Sequence, residues 1–214
     1  NNINQQINKL SVLQEFMKVA GEEESVDDKL NKFLECALDN TQVFILDSQK
    51  SVSLQLEELV SKLKLNYVTI ACGYCFESGL SLLKNIIDRT IYAGLPFDLY
   101  VGSLQGYDEA RPDNIITGID KQTVKKLNEF LEQENFSLYT CNSRFYHGKL
   151  FLFEGDNETI ICIGSSNVSK SAFIVNYELN VVFKTMTNSD LYLKIKSWLE
   201  ELKRHSTKLT HLEE

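Results

Sequence analysis

Strand-like and helix-like segments alternate along the middle of this chain, and no other feature of the sequence restricts its fold as much. Beginning with a strand, the segments are residues 42–46, 54–65, 67–73, 79–93, 97–101 and 124–133. Short apolar runs indicate strands, and apolar residues three or four apart indicate helices. Because strands that alternate with helices form a parallel or mixed sheet covered on both faces, we predict an α/β fold, a three-layer α/β/α sandwich around a mixed β-sheet.

The pattern continues toward both ends of the chain. Four more strand-like runs and a last amphipathic helix follow, at residues 137–140, 145–153, 159–163, 177–183 and 189–204. Ahead of the sheet, residues 5–38 carry apolar positions at helical spacing. We therefore predict an N-terminal helical extension over residues 1–40 and one domain over residues 41–214. Within that domain, the helix at residues 79–93 should begin at Ser78 as N-cap and end at Gly94.

Charge and cysteine content limit the partners and the compartment. The net charge is −8 and the sequence pI is near 5.0, so the chain as a whole repels polyanions. A nucleic-acid substrate would need local basic surface, or delivery by another domain or subunit. The five cysteines are scattered through apolar stretches, as free thiols are in reducing compartments, and no run reaches the roughly 18 apolar residues of a membrane span. We expect a cytoplasmic protein without a membrane partner.

His147 and Lys149 are the first candidate functional pair. In a strand over residues 145–153, side chains two positions apart point to the same face of the sheet. A histidine and a lysine side by side can hold a phosphoryl group, one as nucleophile and the other as point charge. An isolated His-x-Lys is more often a core histidine beside an edge lysine, so this pair needs support from other residues.

Two further polar segments follow that pair. Residues 164–167, Gly-Ser-Ser-Asn, end an apolar strand, where glycine lets the backbone approach an anion and the polar side chains offer donors. The same tetrapeptide is also an ordinary turn. In the next run, Asn176, Glu178 and Asn180 share one face of a predicted strand. A polar face on a buried sheet either finds hydrogen-bond partners or lines a site, and a carboxylate beside an imidazole would orient it.

These three elements together resemble the signature of the phospholipase D superfamily. Their order is His-x-Lys, Gly-Ser-x-Asn and Asn-x-Glu, with 20 residues from His147 to Asn167 and 11 from Asn167 to Glu178. Residues 68–80 resemble the first core strand and helix entry of these proteins, so the likeness covers residues 65–204 and implies the phospholipase D-like fold. Within the superfamily, the chain looks most similar to the catalytic domains of the BfiI and NgoFVII type restriction endonucleases.

The resemblance implies a role for each residue of the signature. His147 is the nucleophile that forms a phosphohistidine intermediate, and Glu178 accepts a hydrogen bond from its other ring nitrogen. Lys149 and Asn167 hold the non-bridging phosphate oxygens, with Ser165 as a helper in binding the phosphate.

The chain departs from the common signature in two places. Glu154 stands where most members have aspartate, a position that the family treats as structural, so we leave Glu154 out of the catalytic set. The link from Glu154 to Gly164 is longer than usual, and we expect an extended hairpin turn at residues 155–158.

The implied mechanism needs a second histidine, which protonates the leaving oxygen and later activates water. The other two histidines, His205 and His211, lie in the polar C-terminal tail and are expected to be surface residues. The second catalytic histidine is therefore expected to be His147 of another copy, in a homodimer with the active site on its twofold axis. Two lysines and no carboxylate cluster would line that site, so we expect neither a metal nor any other cofactor.

Three functions are compatible with the sequence. The leading hypothesis is a DNA endonuclease of a restriction or phage-defence system, with target recognition in another domain or subunit. The second is a hydrolase or transferase acting on lipids or small phosphodiesters, against which the sequence shows no basic amphipathic helix or interfacial aromatic cluster. The third is a dimerisation module that keeps the fold without the activity.

Cys72 and Cys75 have the spacing of a redox or zinc half-site. They lie in an apolar run, and no second pair follows at metal spacing. Buried free thiols are therefore the expected state of both residues.

Overall fold

The computed structural model describes residues 41–103, 105–107, 116–141 and 145–213. Its strands are β1 (Gln42–Ile45), β2 (Leu65–Tyr74), β3 (Phe97–Ser103), β4 (Gln105–Tyr107), β5 (Ile116–Ile119), β6 (Phe136–Cys141), β7 (Leu150–Gly155), β8 (Glu158–Gly164), β9 (Asn180–Met186) and β10 (Ser206–Leu209). Its helices are α1 (Val52–Ser61), α2 (Glu77–Leu82), α3 (Lys84–Asp88), α4 (Lys121–Leu131) and α5 (Asp190–Arg204), with a π-helical turn at Ser171–Val175. No helix among these described residues is long and apolar enough to cross a bilayer.

Eight of the strands form one mixed sheet in the order β1-β9-β8-β7-β2-β3-β6-β10. Strands β2, β3 and β6 are parallel, so their carboxyl ends meet at one edge of the sheet. Strand β7 runs antiparallel to β2 and begins at this edge, β8 ends there and β9 begins there. We call it the carboxyl edge, and it is where the segments with the candidate site residues enter and leave the sheet.

Side chains alternate between two apolar layers along each central strand. In β2, Val68, Ile70 and Cys72 join the larger core, which is completed by apolar side chains of α1 to α4. Ala71 faces the other way, into a smaller cluster with Leu152 of β7 and Leu199 of α5. Helices therefore cover both faces of the sheet, and the predicted three-layer α/β/α arrangement around a mixed sheet is confirmed.

Most predicted elements are present, and the differences have local causes. The single helix expected over residues 79–93 is two short helices, α2 and α3, because the chain leaves helical geometry at Leu83, with φ of −101° and ψ of 15°. Phe76 rather than Ser78 occupies the N-cap position. The predicted helix end at Gly94 is wrong, because the second helix ends at Asp88 with Arg89 as its C-cap. Gly94, with a φ of +79°, lies in the turns that lead to β3.

Other differences concern strand bounds. β7 begins at Leu150 and β9 at Asn180, so residues 145–149 and 177–179, which were predicted as strand, lie outside the strands of the structure. The expected hairpin is present, since only residues 156 and 157 separate β7 from β8. β10 was not predicted, because its sequence, Ser-Thr-Lys-Leu, lacks the apolar alternation of a half-buried strand. The helical extension predicted over residues 1–40 lies outside the described residues.

Glu154 links β7 to α5. It is buried on the face that carries α5, where its carboxylate accepts hydrogen bonds from the Tyr192 hydroxyl at 2.6 Å and the Lys196 ammonium at 2.9 Å. The Lys196 ammonium also lies 5.0 Å from the centre of the Tyr67 ring, which continues the contact into β2. The position that most members of the signature fill with aspartate is therefore a packing tether between sheet and helix.

We predict that Glu154→Ala lowers the free energy of unfolding by about 2 kcal/mol, because it leaves a half-buried ammonium and a tyrosine hydroxyl without their acceptor. Urea denaturation measures this loss. Glu158→Ala is the matched control: Glu158 pairs with Lys184 at 2.9 Å, but 46% of its side chain is exposed against 11% for Glu154, so its removal should cost less than about 1 kcal/mol. Equal losses in the two variants would contradict the tether.

Candidate active site

Residues 145–149 cross the carboxyl edge in close contact with two glycines of the sheet. Ala71 and Tyr100 face α5, and Gly73 and Gly102, two residues further along their strands, face the same way. A methyl group on Gly102 would lie 2.0 Å from the Tyr146 carbonyl oxygen. One on Gly73 would lie 3.3 Å from both the His147 ring and the Asn167 side-chain oxygen. At Gly102 only glycine lets the main chain of residues 145–149 approach the sheet this closely, whereas at Gly73 an added methyl group would require its neighbours to move by a few tenths of an ångström.

The ring of Tyr146 anchors the same segment from its other side. It packs on the backbone of Gly148, where a methyl group would lie 2.4 Å from the Tyr146 hydroxyl. Its centroid lies 5.9 Å from the Trp198 ring of α5. Burial raises the pKa of the Tyr146 hydroxyl above its usual value. Tyr146 is thus a neutral, inward-facing anchor, while its neighbour His147 is exposed to solvent.

Lys149 is buried, although it carries the candidate point charge of the site. Its ammonium donates a hydrogen bond of 2.6 Å to the His147 carbonyl oxygen, so the pair predicted from sequence is brought together. Burial lowers the pKa of Lys149, while nearby Cys72 and Glu178 oppose that shift. Because the pair precedes β7, its geometry comes from this hydrogen bond and the glycine contacts rather than from strand alternation.

Asn167 reaches the same point from a different part of the chain. Its side-chain oxygen accepts a hydrogen bond of 3.0 Å from the Tyr74 backbone amide at the end of β2. The loop is tied to β2 again at Val168, whose amide donates to the Tyr74 carbonyl at 3.2 Å and whose carbonyl accepts from Phe76 at 2.8 Å. The Gly-Ser-Ser-Asn turn is therefore fixed to the carboxyl edge, and Asn167 and His147 meet over Gly73.

Ser165 and Glu178 form a pair beside this point. The Ser165 hydroxyl donates to the Glu178 carboxylate and accepts a hydrogen bond of 3.0 Å from the Leu179 amide. The Asn176 side chain donates to the other carboxylate oxygen at 3.3 Å. Ser165 therefore holds Glu178 in place, a contact that the sequence had not indicated.

Two contacts that the sequence predicts are absent from the described residues. Asn176, Glu178 and Asn180 do not form one site-facing row, because Asn180 is buried and donates to the Ser166 hydroxyl at 2.8 Å. Among the described residues, the Glu178 carboxylate is bonded to Ser165 and Asn176 and not to the His147 ring. The His147 ring is solvent-exposed, and catalytic hydrogen bonds are often loose before substrate binds.

The other histidines lie away from this point. His205 follows α5 and its Nε2 lies 2.8 Å from the Glu201 carboxylate. It adjoins β10, which is three strands from β2, or about 14 Å at the usual strand spacing. His211 is an exposed residue beside Leu212, whose backbone bonds to Asn128 of α4. The described part of the chain thus brings one histidine, not two, to the candidate site.

The cysteine pair and the acidic residues complete the inventory of candidate ligands. Cys72 and Cys75 are buried free thiols, as expected. A hydrogen bond with Cys72 raises the pKa of the Cys75 thiol, and burial adds to that shift. Within the described ranges, no three histidine, cysteine, aspartate or glutamate side chains lie close enough to hold a metal ion.

Sequence reasoning missed the residues that support the site. Gly73, Gly102 and Gly148 each sit under or against residues 145–149, and Tyr146 and Trp198 fasten that segment to α5. A glycine inside an otherwise apolar strand is a known sign of close backbone approach, so Gly73 and Gly102 carried a readable signal. The segment that approaches them comes from a distant part of the sequence, which no local pattern reveals.

Comparison with known proteins gives one family match and several similar folds. Residues 107–203, a little under half of the chain, match the model of the family described as cardiolipin synthase, PLD-like domain. No curated protein sequence matches the chain significantly.

Solved structures with the same fold have low sequence identity to the chain. Phosphatidylserine synthase from Haemophilus influenzae is 15% identical with a TM-score of 0.58, and the match covers 81% of this chain and 41% of that protein. Nuc from Salmonella typhimurium, a phospholipase D family member, is 15% identical over 79% of this chain and 97% of its own, with a TM-score of 0.51. NucT from Helicobacter pylori is 19% identical over 79% and 98%, with a TM-score of 0.50.

We predict that Gly102→Ala displaces the segment that carries His147, because the added methyl group meets a main-chain carbonyl that cannot rotate away. The His147 ring resonances in a ¹H–¹³C spectrum should shift, and unfolding should become easier by about 1–3 kcal/mol. Gly94→Asn is the control, since asparagine tolerates positive φ and Gly94 has no atom within 4 Å of its added Cβ. Unmoved His147 resonances in a folded Gly102→Ala protein would refute the close approach.

Proposed function

We propose that the chain belongs to the phospholipase D superfamily and is a metal-independent phosphodiesterase that cleaves DNA through a phosphohistidine intermediate in a homodimeric active site. One observation carries this proposal: His147 and Asn167, from separate segments, meet over Gly73, with the Lys149 ammonium bonded to the His147 carbonyl. An imidazole, an amide and an ammonium at one point are the groups that phosphoryl transfer without a metal requires.

In the proposed reaction, His147 attacks phosphorus and the 5′- or 3′-oxygen leaves as an alcohol after protonation by a second histidine. The resulting phosphohistidine is then hydrolysed by water, which that second histidine deprotonates. Lys149 and Asn167 stabilise the charge on the non-bridging oxygens. Glu178 stabilises the charged imidazole, and Ser165 positions Glu178 through the hydrogen bond between them.

The second histidine is proposed to come from another copy of the chain. His205 lies beside β10, two strands from β3 and three from β2, and its Nε2 is engaged by the Glu201 carboxylate at 2.8 Å, which makes it a poor partner for a phosphorus atom at His147. A twofold axis would place the two His147 rings on opposite sides of the phosphorus, as in-line displacement requires. The site as one chain builds it is therefore half of the proposed catalytic unit.

An apolar ridge beside the site supports pairing of two copies. The ridge consists of Ile174, Val175, Tyr177 and Leu179, which are 51%, 69%, 83% and 46% exposed and flank Glu178 in the sequence. Contiguous exposed apolar residues of this kind mark interaction surfaces. Because the ridge borders the half-site, contact between two ridges would bring the two half-sites together.

DNA is the proposed substrate, and the acidic balance of the chain affects how it is reached. A net charge of −8 gives little long-range attraction to DNA, so another domain or subunit is proposed to deliver the target, as in a restriction or phage-defence system. The protein is proposed to act in the cytoplasm, where its cysteines stay reduced.

A lipid phosphodiester is the second candidate substrate. The matched family is described as cardiolipin synthase, PLD-like domain, and the exposed ridge is an interfacial apolar cluster that the sequence had not indicated. Acyl chains can contact such a surface as well as a second protein copy can.

We predict that the purified protein nicks plasmid and cuts single-stranded DNA in the presence of EDTA, and that His147→Ala lowers the rate by at least about 10³-fold. Gel electrophoresis measures the cleavage. His205→Ala is the matched control and should cut at the wild-type rate. Loss of wild-type cleavage on addition of EDTA would refute metal independence, while choline release from phosphatidylcholine vesicles without DNA cleavage would favour the lipid candidate.

We predict that Tyr177→Asp separates the dimer, because it places a charge in the middle of the ridge. Light scattering should show a dimer for the wild type and a monomer for the variant, with cleavage lost at low protein concentration. Raising the concentration of the variant should restore part of its activity per chain, which a purely local defect would not allow. Tyr92→Asp is the control, since Tyr92 is 53% exposed beside α4, away from the ridge.

A further inference from the structure

Phe145 is a half-exposed aromatic residue next to the proposed nucleophile. It lies two residues before His147, and 50% of its surface is open to solvent. Its ring centroid is 5.5 Å from that of Tyr74 and 5.6 Å from that of the His147 imidazole, with tilts of 48° and 37°. Tyr74, Phe145 and His147 therefore form an aromatic row at the carboxyl edge.

The exposure of Phe145 contrasts with the burial of its neighbour. The Tyr146 ring packs between Gly148 and Trp198, whereas Phe145 points out of the same short segment. Contact with Tyr74 fixes the position of the Phe145 ring, so a ligand would find an apolar π surface already in place. A preorganised aromatic surface costs little conformational entropy when a ligand binds to it.

From this geometry we infer that Phe145 is the stacking subsite for a nucleobase next to the cleaved phosphodiester, and that the substrate strand is unpaired there. The inference rests on the proposed phosphodiesterase function. The attacking nitrogen of His147 must approach phosphorus to about 3–3.5 Å. A group joined to that phosphate through one sugar then lies within reach of Phe145, whose ring borders the imidazole.

A nucleobase suits this surface better than the groups of a lipid do. Every base has a planar π face, and base-to-aromatic stacking works independently of sequence. A quaternary ammonium also binds aromatic rings, and the choline-release measurement in the test below distinguishes it from a nucleobase. Acyl chains are separated from the phosphate by the glycerol backbone and have no planar face for Phe145 to stack on.

Stacking on Phe145 also restricts the form of the DNA. In a duplex both faces of a base are covered by its neighbours, so a base can lie on Phe145 only after it has left the stack. A single strand or an unpaired nucleotide meets this condition without the cost of unstacking. The subsite therefore predicts faster cleavage of single-stranded than of double-stranded DNA.

The test combines an abasic substrate with variants of Phe145. In single-stranded oligonucleotides with a mapped cleavage position, an abasic residue replaces the nucleotide on either side of the cleaved bond, and kcat/KM is measured in EDTA. On one side the abasic residue should lower the wild-type value roughly 5- to 100-fold. Phe145→Leu should lower cleavage of the intact strand similarly and add little on the abasic one, while Phe145→Trp should retain activity. Tyr92→Leu, an equally exposed aromatic away from the site, should behave as wild type.

A binding measurement separates failure of the subsite from failure of the proposed chemistry. His147→Asn, with and without Phe145→Leu, is titrated with a strand that carries 2-aminopurine beside the cleavage position. Fluorescence quenching that disappears with Phe145→Leu supports the subsite even if no cleavage occurs. Equal quenching in both proteins, or additive losses in the kinetic test, would overturn the inference and leave the phosphodiesterase proposal standing. Release of choline from phosphatidylcholine vesicles that depends on Phe145, without quenching, would also overturn it.

Discussion

The site depends on how closely one stretch of backbone can approach another. Residues 145–149 lie against β2 and β3 at a separation that a single methyl group on Gly102 would prevent, since it would stand 2.0 Å from the Tyr146 carbonyl. That approach sets the height of His147 above the sheet, and Gly73 sets the point where His147 and Asn167 meet. The absence of a side chain at Gly73 and Gly102 is therefore as important to the geometry of the site as the polar groups are.

Strand β7 has candidate site residues before its start and a residue that packs against α5 near its end. At its start the Lys149 ammonium holds the His147 carbonyl, and at its end Glu154 holds Tyr192 and Lys196 of α5. Glu154 lies five positions after Lys149 along extended chain, a distance of about 17 Å. Glu154 is thus too far away to act on a phosphate at His147, and its contribution is to keep α5, and with it Trp198, against the sheet.

The carboxyl edge also presents exposed apolar side chains beside the candidate site. The ridge from Ile174 to Leu179 and the ring of Phe145 are exposed on the same edge as one imidazole and one ammonium. The proposed second copy and the proposed unpaired strand each account for a different part of that surface.

The α/β layering and the candidate site residues could both be predicted from the order of amino acids. Apolar periodicity is a local property, so β2, β3, β8 and α5 were placed to within a few residues, and the spacing of His147, Asn167 and Glu178 indicated one phosphate-binding signature. Sequence patterns failed where segments that are distant in the chain meet. Strand alternation gave a wrong reason for pairing His147 with Lys149 and a wrong place for Asn180. The bond between Ser165 and Glu178, the contact of Glu154 with α5 and the exposure of Phe145 became apparent only in the folded chain. Each depends on which distant segments the strand order brings together, and sequence spacing does not reveal that.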